Sequence, residues 1–139
     1  MRVVIDPNVF VSALISPAGP PAAIVRVWTE GRFEIVVSAA LIAELDDVLA
    51  RPKFRRWISE VDASAFVAGL AEDGETVADP SNPKPISPDP DDDYLLALAQ
   101  AAGAECVVSG DSDLSQLSES SPEVLTPREF LNRLRERHA

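Results

Sequence analysis

The stretch Val3-Val4-Ile5-Asp6-Pro7-Asn8 decides the fold class. Three consecutive aliphatic residues leave no polar face, which is the pattern of a strand covered on both sides, and such strands belong to parallel sheets. Pro7 then restricts Asp6 to an extended conformation, so Asp6 ends the strand with its carboxylate at the strand's carboxyl edge. Further along the chain, Phe33-Glu34-Ile35-Val36-Val37, Glu105-Cys106-Val107-Val108-Ser109 and Glu123-Val124-Leu125 read as strands of the same kind.

Helical patterns separate these strands. Pro20-Pro21-Ala22 opens one that carries Ile24, Val25, Val27 and Trp28 and stops at Gly31. Ser38 is a suitable N-cap for a second, with Leu41, Ile42, Leu45, Val48 and Leu49 on one side and Pro52 closing it. Less regular helical segments are expected over 53–60 and 62–73, and a helix apolar nearly all round follows Asp91-Asp92-Asp93 and ends at Gly103. Thr126-Pro127-Arg128-Glu129 is a capping box with proline at the first helical position, which predicts a last helix through Arg137. Alternating strands and helices predict an α/β fold, a three-layer α/β/α sandwich with a central parallel sheet of four or five strands. The 139 residues are expected to form a single domain over 1–139, with the proline-rich stretch 79–90 as an internal loop.

Composition narrows the function classes. With 23 acidic against 12 basic side chains the formal charge is -11, so overall electrostatics provide no nucleic-acid groove or anionic membrane surface. No apolar run reaches the roughly 20 residues of a membrane span, and the opening residues lack a signal-peptide pattern, which makes a cytoplasmic protein the expectation. The single cysteine, Cys106, lies in an apolar run and reads as an inert buried thiol. Eight of the twelve basic residues fall in two clusters, Arg51, Lys53, Arg55 and Arg56, then Arg128, Arg133, Arg135 and Arg137.

In an open α/β sheet, ligands bind outside the carboxyl ends of the strands near the switch in strand order. Asp6 and Asp111 follow two strands there, and Asp93 begins a helix at the same end. Glu44 lies about six residues down its helix, or ~9 Å at ~1.5 Å per residue, on the border of the apolar face. Four carboxylates at close range need a compensating cation. Oxygen-only ligands select a hard ion such as Mg²⁺ or Mn²⁺. Competing acidic motifs fail: Tyr94 and Gln100 occupy the glycine and glutamate positions of a calcium loop, Asn8 replaces the second aspartate of a dehalogenase-type phosphotransferase, and no glycine-rich phosphate loop exists. Tyr94, the sole tyrosine, reads as core, and His138, the sole histidine, as tail.

Four pieces in order now resemble a known family: Val4 through Leu14, Leu41 to Leu45 with Val48 to Phe54, Asp89 through Ala99, and Val107 through Leu114. The chain resembles PIN domains, in particular the VapC-like ribonucleases that serve as toxins of toxin–antitoxin systems. That resemblance implies a Mg²⁺- or Mn²⁺-dependent endoribonuclease acting on single-stranded RNA, a cognate antitoxin and a homodimer. It assigns catalytic, metal-binding roles to Asp6, Glu44, Asp93 and Asp111, an auxiliary metal role to Asp113, and polar support to Asn8 and Ser109. Pro7 and Ser109 stand where the family more often has threonine. Arg51, Lys53, Arg55 and Arg56 are candidate RNA contacts, although the end of the Glu44 helix should place them away from the crevice. An inactive PIN-like binding module and a metal-dependent small-molecule phosphatase are the alternative readings of the same crevice.

Overall fold

The computed structural model describes residues 1–80, 90–110 and 122–137, with the backbone alone at 90–92. Its five strands are β1 (Arg2–Ile5), β2 (Glu34–Val37), β3 (Glu75–Thr76), β4 (Cys106–Val108) and β5 (Glu123–Leu125). Among the described residues six α-helices accompany them: α1 (Pro7–Ile15), α2 (Pro20–Thr29), α3 (Ala39–Leu49), α4 (Glu60–Asp73), α5 (Pro90–Ala102) and α6 (Pro127–Arg137), with a 3₁₀ turn at Pro52–Arg56. The sheet is wholly parallel, in the order β3-β2-β1-β4-β5. The α/β class and the central parallel sheet expected from the sequence are therefore present, with the larger of the two strand counts.

The central strand explains why the sequence reads as it does. Val3, Val4 and Ile5 are fully buried, with β2 hydrogen-bonded on one side and β4 on the other in the register Val4↔Val36 and Val4↔Val107. Helix α5 packs against β1 and β4, while α1 contacts α2 and α3, and α3 contacts α4. Helix α6 closes on α2 and β5, with Phe130 meeting Phe33 edge-on at 5.1 Å between ring centroids. Strand order departs from chain order between β1 and β4, which is the switch point where the two carboxyl ends open a crevice.

Local signals account for most boundaries. The capping box forms as predicted, with the Thr126 N–H donating to Glu129 and the Glu129 N–H donating to the Thr126 hydroxyl. Gly103, at φ 66°, ends α5 in a Schellman turn in which Ala104 N–H donates to the Ala99 carbonyl and Gly103 N–H to that of Gln100.

Two elements exceed the sequence reading. Helix α1 starts immediately after β1, with Pro7 at its first position and the Asp6 side chain accepting from the Asn8 N–H. Strand β3 has only two residues and no apolar pattern. It is admitted to the sheet by Gly74, where a Cβ would lie 2.7 Å from the Leu70 carbonyl oxygen and 3.1 Å from a Val37 methyl. The expected segments 53–60 and 62–73 resolve into the 3₁₀ turn and an α4 that begins at Glu60 under a Ser59 cap.

Candidate active site at the switch point

Asp6 takes φ -56° and ψ 132°, the extended geometry that Pro7 imposes, and is the N-cap of α1. The residue is 8% exposed. Oδ1 accepts from the Asn8 backbone N–H at 3.0 Å, and Oδ2 accepts from the Ser109 hydroxyl at 3.1 Å. Ser109 is fully buried just past the end of β4, and its own N–H donates to Leu125 O, so the ends of β1, β4 and β5 are stitched together. Both donors to Asp6 named here are neutral, and the positive end of the α1 dipole lies beside it. Ser109 thus contacts Asp6 through its hydroxyl, and Asn8 through its backbone amide, since the Asn8 residue itself is exposed.

Asp93 lies in the first turn of α5 and is 7% exposed. Glu44 is half-buried on α3, whereas Asp47, one turn on, is exposed, as the helical spacing predicts. Glu44 and Tyr94 line one shallow cavity of about 620 Å³ together with Ala40, Ala43, Asp47, Val48 and Arg51. Glu44 on α3 and Tyr94, the sequence neighbour of Asp93 on α5, thus line the same cavity. Asp111 and Asp113 lie outside the described residues, as does His138. Among the described residues, no three Asp, Glu, His or Cys side chains form a ready ligand group. The donor set of Asp6, Glu44 and Asp93 is nonetheless all carboxylate oxygen, two members of it buried, which fits a hard divalent cation and no soft one.

A polar cluster that sequence reasoning missed sits beside these acids. The Tyr94 hydroxyl donates to Asp79 Oδ1 at 2.7 Å and shares a second hydrogen bond with the Ser38 hydroxyl. Ser38 caps α3 by accepting from the Leu41 N–H, and the Asp79 carboxylate accepts from the Ala40 N–H at 3.2 Å. The Ser38 hydrogen bond, then that of Tyr94, holds the Asp79 carboxyl below its usual range. Burial pushes the Tyr94 phenol up to about 12, with the Asp79 and Glu44 charges adding to the rise and the Ser38 hydrogen bond opposing it. Tyr94 is therefore not simply core: its ring packs on the core while its hydroxyl serves this cluster. Ser38 could be read as a cap, but nothing in the sequence brings Asp79 to it.

The basic clusters divide. Arg51 reaches the Glu44 cavity, although the helix end was expected to carry it away. Arg55 donates to the Leu49 carbonyl at the end of α3, and Lys53 and Arg56 lie over the rings of Phe54 and Trp57 at 5.1 and 4.9 Å. In the second cluster, Arg133 pairs with Glu123 and Arg137 with Glu105. No single helix among the described residues is long and apolar enough to cross a membrane.

A model of the PIN domain matches residues 2–113. An uncharacterized protein of Methanocaldococcus jannaschii is 26% identical over 140 aligned positions, covering 94% of this chain and 90% of its own length. Among solved structures, VapBC2 from Rickettsia felis, crystallised with a DNA fragment from its promoter, superposes with a TM-score of 0.63 at 12% identity, over 91% of this chain and 98% of that one. PAE2754 from Pyrobaculum aerophilum gives 0.60 at 15% identity, over 97% and 89%.

Proposed function

This chain belongs to the PIN-domain family, and from that premise we propose that it is a metal-dependent endoribonuclease for single-stranded RNA, the toxin of a toxin–antitoxin pair. The observation that carries the reading is the buried Asp6 carboxylate at the sheet's switch point, held by Ser109 and the start of α1. Structural likeness to the toxin–antitoxin complex from Rickettsia felis supports the toxin assignment and a cognate antitoxin as partner. A homodimer, a cytoplasmic location and a single domain over 1–139 belong to the same proposal.

Asp6, Glu44 and Asp93 are the residues that would hold Mg²⁺ or Mn²⁺, with Asp111 and Asp113 completing the acidic set assigned by resemblance. An ion held there would lower the pKa of a water and offset charge on the leaving oxygen of a phosphodiester. The protein's part is to hold these carboxylates in fixed positions. Ser109 and the Asn8 amide fix both oxygens of Asp6, so that carboxylate does not need to reorganise when a substrate phosphate arrives. Arg51, on the wall of the Glu44 cavity, would meet an RNA phosphate as a guanidinium fork.

The test is cleavage of a labelled single-stranded RNA. Activity that requires Mg²⁺ or Mn²⁺, stops with EDTA and is lost in Asp6→Asn supports the proposal. Metal-independent cleavage, or release of phosphate from small phosphomonoesters at comparable efficiency, overturns it.

A further inference from the structure

The geometry assigns Tyr94 a positioning role: its hydroxyl locks the first turn of α5, which carries Asp93, to the first turn of α3, the helix that carries Glu44. This inference rests on reading Asp6, Glu44 and Asp93 as a divalent-metal site. Three separate chain segments meet at the lock. Ser38 follows β2 and caps α3, Asp79 follows β3 and binds the Ala40 N–H, and Tyr94 bridges both from α5. The lock reaches the acids through the two helices it joins, with Asp93 next to Tyr94 in α5 and Glu44 in α3.

The consequence for the site is geometric. Asp93 is adjacent to Tyr94 in sequence, and Glu44 shares a cavity with the Tyr94 ring. Rotating or sliding α5 against α3 would change the separation of the two carboxylates, and the lock resists that movement at the helix ends nearest the site. Groups that orient metal-binding side chains typically change metal affinity by about 10- to 100-fold when removed. Asp79 is the acceptor of the Tyr94 hydroxyl, so an amide oxygen at position 79 preserves the bond, whereas a methyl group does not.

Calorimetric titration of the metal-free protein with Mn²⁺ tests this without reference to activity. Tyr94→Phe and Asp79→Ala are each expected to weaken Mn²⁺ binding about tenfold, and Asp79→Asn to stay within about twofold of wild type because the acceptor is retained. The double variant Tyr94→Phe/Asp79→Ala should weaken binding by less than the product of the two single effects, since the Tyr94–Asp79 bond is common to both. Wild-type affinity in Tyr94→Phe, or effects that multiply in the double variant, overturn the positioning role while leaving the metal site standing. If Tyr94→Phe fails to fold, the contrast between Asp79→Ala and Asp79→Asn decides: equal affinities in that pair refute the lock. Absence of Mn²⁺ binding by the wild type overturns the metal site and the lock together.

Discussion

The Ser109 hydroxyl donates to the Asp6 carboxylate across 103 positions of sequence, joining the ends of the two strands that flank the switch point. The bond is buried, so its loss is not made good by bulk water. Ser109→Ala should lower stability by about 1–2 kcal/mol, the cost of withdrawing a donor from a buried acceptor. Urea denaturation with an unchanged slope would measure it, and a change below about 0.3 kcal/mol would show that the hydroxyl contributes little.

Tyr94 is the only tyrosine, which makes its ionisation visible by absorbance alone. In the metal-free folded protein the phenol should titrate near pH 12, against 10.0 for the ordinary group, because burial disfavours the phenolate. A pKa raised on folding stabilises the native state below pH ~10, and that contribution is lost as the pH rises towards 12. A folded-state midpoint at the ordinary value would contradict the burial of the hydroxyl.

Cys106 lies fully inside β4 and its thiol is pushed up to about 12 by burial. At pH 8 it should react with an aromatic disulfide reagent at least a hundredfold more slowly than in the urea-unfolded chain, since the thiolate is the reacting form. Native-state labelling at the unfolded rate would show that β4 opens readily. Raised above its ordinary 9.0, this thiol also withdraws stability as the pH climbs from about 9 upward.

Arg51 and Arg55 offer a contrast within one basic cluster. Arg51→Ala should weaken single-stranded RNA binding and lower the salt slope by roughly 0.7, while leaving the melting temperature unchanged. Arg55→Ala should instead destabilise the fold, because its guanidinium terminates α3 at the Leu49 carbonyl. A salt slope unmoved by Arg51→Ala would make the cavity wall irrelevant to RNA.

The sheet was legible because buried parallel strands write themselves as unbroken aliphatic runs, and the termini of α3 and α6 because Ser38 and Thr126 carry capping chemistry in their own sequence. Helix α1 escaped because its apolar residues Val9, Phe10, Val11 and Ala13 form no narrow stripe. The cap itself, Asp6 with Pro7 following, was legible and could have announced it. Strand β3 depends on a close approach between Gly74 and Val37, a tertiary fact with no local signature. Asp6 and Glu44 could be placed from strand ends and helical spacing. Asp79 could not, since only the fold brings it to the start of α3, and for Tyr94 the core packing of the ring was legible but not its hydroxyl bonds, because a residue's apolar neighbours say nothing about where its hydroxyl points.

Sheet order also sets a timetable for synthesis. Of the five strands, the earliest in the chain is the central one, and its pairing with β2 waits only for residues up to Val37, whereas its pairing with β4 waits for residues 106–108. At about 5–20 residues per second, the interval before β4 exists is roughly 5–20 s. Throughout it Asp6 has no Ser109 beside it, and the wall of the crevice formed by β4 is missing. A ribosome-bound chain of this topology cannot join Asp6 to Ser109 until β4 has been made, so the carboxyl-edge crevice takes shape late, after β1 and β2 are already available to pair.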